Sequence, residues 1–452
     1  MATTLKRTRD QMAVGPTRRL RHGDTTESDG SVDENMGMED SGATISDDDD
    51  GHEEVEDAVA EDMERFEQSF KNINQRYRLI NRIGEGTFST VYKAEDLLYE
   101  HYQNDWDMDS ENHEPALQKQ SNGRPRKPRY VAIKKIYVTS SPLRILNELE
   151  LLHDLRDSPN VCPLITAFRH QDQVIAILPF FQHQDFREYY RDSTIADMRI
   201  YFHELFSALK SVHDAEIIHR DIKPTNFLYS PAQRRGVLVD FGLAEREGTD
   251  YLQCNCCVEE AERERRTNNS VYQMTQNAAK AANQQPPRPA YPSQDQRSSR
   301  RANRAGTRGF RAPEVLLKCT AQSVSIDVWS VGVILLTFLS KRFPFFHSAD
   351  DIDAFIELAC IFGKIKMKEV SLLHGQVLHT NLPTLSEHGH SWEKILLWCT
   401  GRSKSKADGS GGLTQEELEA VDFMKRCLEL DPNERISADQ ALEHSFLRKA
   451  EL

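Results

Sequence analysis

The apolar positions change period several times along this chain, and each change predicts an element. From about residue 77, YRLINRIG and TVYKAE alternate around a glycine-containing turn and predict two strands. RYVAIKKIYV resumes strand character after residues 97–129, a polar stretch punctuated by Pro and Gly that reads as an insertion. In SSPLRILNELELLHDLR the period becomes helical. Leu143, Leu146, Leu149 and Leu152 recur on one spacing, Ser141 offers a cap and Pro142 suits the first turn. DQVIAILPFF predicts a buried strand ending at a proline. MRIYFHELFSALKSVHDA predicts an amphipathic helix with Phe202, Leu205, Phe206, Leu209 and Val212 turned inward. DVWSVGVILLTFLS is apolar on every side and predicts a helix central to a core. Strands first and helices later argue for an α+β fold: a small β-rich lobe over residues 77–183, then a larger helical lobe over 184–448.

Charge changes this picture at the ends and in the loops. Residues 1–70 hold 20 acids against 7 bases, so most of the formal charge of −14 belongs to an acidic tail that is expected to be disordered. Within the tail, LKRTRD and TRRLRHG are either parts of a solvated arm or a nuclear-import signal. Residues 245–303 form a second insertion, rich in Gln, Asn, Arg and Pro from 258 onward and expected to be mobile, and GRSKSKADGSGG (401–412) reads as a flexible loop. A chain of 452 residues exceeds one small core. Its 8 cysteines do not make a disulfide framework, and no apolar h-region opens the chain, which points to a reducing compartment. The longest apolar run, VGVILLTFL, is too short to span a bilayer.

The chemistry concentrates in IIHRDIKPTNFLY. A carboxylate, a cation and an amide in one tight turn can address a hydroxyl nucleophile and a phosphoryl group together. The string resembles the catalytic loop of eukaryotic protein kinases. That resemblance implies a bilobal kinase fold, with Asp221 accepting the substrate proton, Lys223 stabilising the transferring phosphate and Asn226 holding magnesium. VLVDFGLAE follows, with Asp240 14 residues after Asn226, and by the same resemblance Asp240 binds the magnesium that bridges the ATP phosphates. RIGEGTFSTVYKAE resembles the glycine-rich phosphate loop, implying ATP contacts from Ile83, Gly84, Gly86 and Val91; Ser89 replaces the third glycine. VAIKK supplies Lys134 to the phosphates, with Glu148 as its ion-pair partner; Lys135 is expected to face solvent, and Glu150 lies on another helix face. Leu178, Pro179 and Phe181 would line the adenine. Ala312–Pro313–Glu314 and Arg435 resemble a structural lock, and Asp327 is expected to cap the core helix and hold the catalytic-loop backbone.

NFLY, VDFGLAE and RAGTRGFRAPEVLLKC together resemble the cell division cycle seven family, the DDK kinases, as does the 69-residue span 243–311 that separates DFG from APE. The resemblance implies an activator subunit, substrates in the acidic arms of the minichromosome maintenance helicase, a part in initiating DNA replication, and a nuclear location. Six arginines (Arg297, Arg300, Arg301, Arg304, Arg308 and Arg311) precede APE with no acid among them. The first three read as solvated. Arg304 and Arg311 are placed to read an acidic or phosphorylated residue after the phosphoacceptor, because guanidinium forks bind such groups in a bidentate way. Thr307 is expected to hydrogen-bond Asp221, with phosphorylation there as the alternative. Ser28-Asp29 and Ser46-Asp47 in the tail have the shape of the expected substrate. Cys254, Cys256 and Cys257 are candidate zinc ligands, although a structural site takes four and two of these are adjacent. Two alternatives stay open: an acidophilic kinase of the casein kinase two type that needs no activator, and a pseudokinase scaffold. No nucleic-acid-binding motif is visible.

Overall fold

The computed structural model describes residues 55–70, 72–86, 89–102, 104, 106, 128–137, 140–170, 172–248, 254–285, 302–403 and 412–448. These fall into two compact units.

The first unit takes the described residues up to 141, with 164–180. A helix, α1 (Asp57–Ser69), precedes strands β1 (Tyr77–Glu85), β2 (Ser89–Asp96), β3 (Tyr130–Ile136), β4 (Thr166–His170) and β5 (Gln173–Pro179). The strands form an antiparallel sheet in the order β1-β2-β3-β5-β4. Register sorts its two faces, because side chains alternate along a strand. Tyr92, Ile133 and Ile177 are paired across three strands and join Phe66, Phe70 and Val131 in one apolar cluster. Val91, Lys134 and Ala176 are paired on the opposite face.

Helix α1 lies where the composition predicted part of a disordered tail. The acids conceal an apolar stripe, Val59, Met63, Phe66 and Phe70, at helical spacing. Phe66 stacks on Tyr92 with ring centroids 5.1 Å apart, and the Tyr92 hydroxyl donates to Asp62 Oδ2 at 2.6 Å. Lys135 is therefore not simply turned to water: its ammonium stands 5.5 Å over the Phe66 ring. Residues 1–54, with both Ser-Asp pairs, lie outside the described residues. The insertion at 97–129 also begins as packed structure, since Trp106 rests against the same cluster and meets Tyr99 edge to face.

The second unit takes 142–163 and the described residues from 181 onward. It begins with α2 (Pro142–Asp154), a helix expected within the first lobe; the chain returns to the first unit at 164–180 and leaves it at Phe181, close to the expected 183. Asn147 Nδ2 donates to the Ala244 carbonyl at 2.8 Å and Cys162 N–H to the Leu238 carbonyl at 2.9 Å, tying this stretch to the later chain. The α2 leucine repeat does not mark its buried face. Ile145, Glu148, Leu151 and Leu152 are buried, whereas Leu143 and Leu146 are 78% and 51% exposed. A strict three-residue repeat walks backward around a 3.6-residue helix, so it cannot hold one side.

Next come α3 (Phe186–Tyr189), α4 (Ile195–Asp214), the short pairs β6 (Ile217–Ile218) with β9 (Glu245–Arg246) and β7 (Phe227–Ser230) with β8 (Arg235–Leu238), and the insertion helices α5 (Glu260–Asn268) and α6 (Val271–Ala281). The remaining helices are α7 (Pro313–Leu316), α8 (Ser325–Ser340), α9 (Asp351–Phe362), α10 (Lys364–Leu373), α11 (Trp392–Cys399), α12 (Gln415–Cys427), α13 (Ala438–Leu442) and α14 (Ser445–Arg448). Every residue of α8 after Ser325 is buried, as its all-round apolar character requires. Phe202 of α4 packs on Phe338 of α8, and Phe206 on Phe423 of α12. A Thr194/Asp197 capping box starts α4. The insertion is more ordered than its composition suggests, with Ser270 capping α6. Among the described residues no helix is long and apolar enough to cross a membrane.

Candidate active site

The turn between β6 and β7 carries the catalytic string. Asp221 is buried and surrounded by donors. Its Oδ1 accepts from Thr307 N–H at 2.9 Å and from Thr307 Oγ1 at 2.7 Å; its Oδ2 accepts from Asn226 Nδ2 at 3.0 Å and lies 2.9 Å from Lys223 Nζ. Lys223 Nζ also donates to Thr307 Oγ1 at 3.2 Å. The carboxylate is thus fixed in place by hydrogen bonds and a neighbouring ammonium.

Asp327 supports this turn from beneath. It is not a cap, as expected, but lies within the first turn of α8 behind Val324. Its Oδ1 accepts from Arg220 N–H and its Oδ2 from His219 N–H, each at 2.8 Å, with His213 Nε2 at 3.1 Å. Burial works to raise the Asp327 pKa; the hydrogen bond from His213 and the nearby imidazoles outweigh it and leave it below the usual carboxylate value.

Asn226 spends both amide hydrogens on Asp221, one on the side chain and one on the backbone carbonyl at 2.9 Å, which leaves its Oδ1 as the group to offer a metal. Val239 N–H donates to the Asn226 carbonyl at 2.9 Å and brings the next residue, Asp240, alongside. Asp240 has an exposed side chain on a left-handed backbone (φ 65°). An amide oxygen and a carboxylate are hard donors that suit magnesium. Phe241 is buried edge-on to His219 with centroids 4.8 Å apart. A Cβ on Gly242 would sit 3.4 Å from Asp240 Oδ1 and 3.5 Å from Glu148 Oε2, so the Glu148 carboxylate lies beside this segment.

The segment returns through Gly306 and Thr307. Gly306 has φ 105°, and a Cβ there would fall inside the envelope of the Arg220 carbonyl oxygen. Only glycine allows this approach, which sets Thr307 on Asp221. Beyond it, Glu314 and Arg435 form a fully buried two-pronged pair at 2.6 and 3.1 Å. Arg435 also donates to the carbonyls of Glu429 and Ser325.

In the first unit, Lys134 is buried on the sheet face it shares with Val91. Ala132, on the same face, pairs with Leu178, and Pro179 ends β5. Ile83 falls at a register shift in β1. A Cβ on Gly84 or Gly86 would meet nothing closer than 3.7 Å, so packing within the unit does not require glycine there. The open space suits backbone approach by phosphates. Phe181 belongs to the second unit.

The arginine cluster has an internal partner that its sequence gives no hint of. Asp351, opening α9, receives Arg311 Nη1 on Oδ1 at 2.6 Å and Arg304 Nη1 on Oδ2 at 2.9 Å. Arg311 Nε donates to the Gly306 carbonyl at 2.8 Å and Arg308 Nη1 to the Ala349 carbonyl at 2.7 Å. Burial pulls the Arg311 pKa below the usual guanidinium value, despite Asp351. Arg297, Arg300 and Arg301 lie outside the described residues.

A second constellation corrects the cysteine reading. Cys254, Cys256, Cys319 and His374 are all buried, and their ligand atoms lie within 4.8 Å of one another; Cys257 is exposed and outside the group. Cys256 and Cys319 sulfurs stand 3.6 Å apart, and Cys254 Sγ is 3.7 Å from His374 Nδ1. Tetrahedral zinc with bonds of ~2.3 Å sets its sulfurs about 3.8 Å apart. Hydrogen bonds from Cys256, then Cys319 and His374, lower the Cys254 thiol pKa; Cys256 is raised, and contact with Cys254 pushes Cys319 up to about 12. The other two members of the group lie after APE (Cys319) and just past α10 (His374), too far along the chain for spacing to reveal.

In the second unit, a buried, donor-fixed aspartate with a neighbouring lysine and two hard oxygen donors suited to magnesium form the pattern of an ATP-dependent protein kinase. Comparison agrees: the family described as "Protein kinase domain" matches residues 123–260 and 292–447. The "Cell cycle serine/threonine-protein kinase hsk1" of Schizosaccharomyces pombe is 47% identical over 408 residues, covering 87% of this chain and 78% of that one. The same organism's "Cell cycle protein kinase spo4" is 42% identical, covering 85% and 88%. A "Probable cell division control protein 7 homolog 2" from Encephalitozoon cuniculi is 36% identical, covering 82% and 92%. The chain belongs to the cell division cycle seven family of serine/threonine protein kinases.

Proposed function

We propose that this kinase phosphorylates Ser or Thr followed by an acidic or phosphorylated residue. The substrates we infer are minichromosome maintenance helicase subunits in the nucleus, and the outcome is initiation of DNA replication. Asp221 takes the proton of the acceptor hydroxyl as its oxygen bonds to the γ-phosphorus and the bond to ADP breaks. Lys223 turns from Asp221 to the transferring group. Magnesium at Asp240 and Asn226 Oδ1 would neutralise phosphate charge.

The observation that carries the substrate reading is the arginine group around Thr307. Thr307 touches Asp221; Arg304 precedes it in the chain, and Arg308 and Arg311 follow it. Asp351 shows the chemistry these guanidiniums accept, since a carboxylate already lies across two of them. A peptide array that varies the residue after serine tests this. Arg311→Ala should abolish the preference for acid and spare ATP binding; equal loss on acidic and neutral peptides would refute it.

Exposed Leu143 and Leu146 on α2 support docking of an activator subunit. Zinc is a second reading, favoured by the Cys254, Cys256, Cys319 and His374 geometry. Metal analysis should find about one zinc per chain.

A further inference from the structure

Arg220 directly precedes Asp221 and is nearly sealed from water, its side chain 2% exposed. Its backbone is left-handed (φ 70°), with the N–H on Asp327 and the carbonyl against Gly306. A guanidinium so placed is strongly unfavourable without a counter-charge. Among the described residues, the carboxylate in ion-pair range is Glu245, which meets Arg220 Nη2. Nη1 donates to Gln322 Oε1 at 2.6 Å.

Glu245 stands five residues after Asp240. It opens β9, where it pairs with Ile218 of β6, two residues before Arg220. Its second oxygen, Oε2, accepts from Asn303 Nδ2 at 2.8 Å. Asn303 Oδ1 accepts from Ala305 N–H at 3.0 Å, and its carbonyl accepts from Gln322 Nε2 at 2.8 Å. Ala305 is the residue before Gly306 and Thr307. One carboxylate therefore joins three things: the start of the segment between DFG and APE, its end, and the residue beside the catalytic aspartate.

We propose that Glu245 is a positioning residue, a built-in anion that holds the activation segment in working shape through Arg220 and Asn303, so that no phosphoryl group on this segment is needed. The Thr307 hydroxyl is committed to Asp221 and Lys223, and a phosphate on it would displace both. Arg220 Nη2 already has its anion. The sequence supplies permanently what a reversible modification would otherwise have to supply.

The test uses the full-length kinase purified from its native host, so that any bound subunit is retained, with turnover counted per titrated active site. Phosphatase-treated wild type should keep its kcat within about twofold. Glu245→Gln should lower kcat about tenfold or more with the KM for ATP nearly unchanged, because the damage lies at Asp221 and not at the nucleotide. Glu245→Asp, which keeps the charge, should recover most of the loss. A tenfold fall of the wild type on phosphatase treatment would overturn the proposal. So would Glu245→Gln or Glu245→Asp protein that shows fewer active sites but a normal kcat at each, which is the mark of a merely structural residue.

Discussion

Replacing Thr307 with valine removes one hydroxyl and little volume, and isolates that hydroxyl's contacts with Asp221 and Lys223. The threonine holds Oδ1 twice, through its N–H at 2.9 Å and its hydroxyl at 2.7 Å. Valine keeps the first and loses the second, together with the 3.2 Å anchor of Lys223. A hydrogen bond to a charged group contributes about 1.5–3 kcal/mol. Thr307 is only half-buried, so water replaces part of it, and the lower end applies. At about 1.4 kcal/mol per decade, kcat should fall about 10- to 30-fold. The KM for ATP should hold, because the hydroxyl touches Asp221 and Lys223. Steady-state phosphorylation of a serine peptide over a range of ATP concentrations measures both constants. Thr307→Ser restores the donor and should return most of the activity. If Thr307→Val turns over within twofold of wild type, the hydroxyl does not position Asp221. If Thr307→Val loses activity and serine fails to restore it, the methyl is needed as well as the hydroxyl, and the hydrogen bond alone does not account for the loss.

Arg435→Ala leaves Glu314 charged and sealed in the core, and should cost about 3–5 kcal/mol in urea unfolding; the pair Glu314→Leu with Arg435→Met should regain most of it, and a single-variant loss under about 1 kcal/mol would contradict the buried pairing. Gly306→Ala forces a Cβ onto the Arg220 carbonyl and should lower kcat by about tenfold or more with an unchanged circular dichroism spectrum; normal turnover would show that the approach is not needed. Cys319→Ser should abolish bound zinc while Cys257→Ser retains it, and metal analysis showing the reverse would reject the four-residue set. Asp351→Asn frees two guanidiniums for the substrate, so kcat/KM for peptides with aspartate after serine should rise about three- to tenfold over neutral peptides; an unchanged ratio would remove Asp351 as a competitor.

What the sequence displays depends on how far along the chain the determining contacts reach. The Asp221–Asn226 turn is local, so residue types at fixed offsets carry it. Helix α8 is equally plain, because it is apolar all round. Helix α1 escaped notice since net charge, a sum over both faces, says nothing about a stripe on one of them. The face of α2 was misjudged because leucine is a good helix former even where it is exposed. The strongest concealment lies in pairings across long separations. Asp351 is 40 residues from Arg311, and His374 is 120 from Cys254. Nothing local distinguishes them from other aspartates and histidines.

That limit explains why the arginine run invites a one-sided reading. Counted along the chain, residues 297–311 carry six positive charges and no acid, and look like an empty anion site. In space Asp351 neutralises part of that charge, so an incoming acid exchanges one carboxylate for another. Exchange makes discrimination depend on a difference of two similar contacts, and a doubly charged phosphate gains more from the remaining guanidiniums than a carboxylate does. A substrate phosphorylated beforehand at the following position should therefore be preferred over its aspartate counterpart, and the margin should narrow in Asp351→Asn. Competition between two peptides differing only at that residue, assayed with both enzymes, measures the margin; an equal margin in both would place Asp351 outside the recognition site.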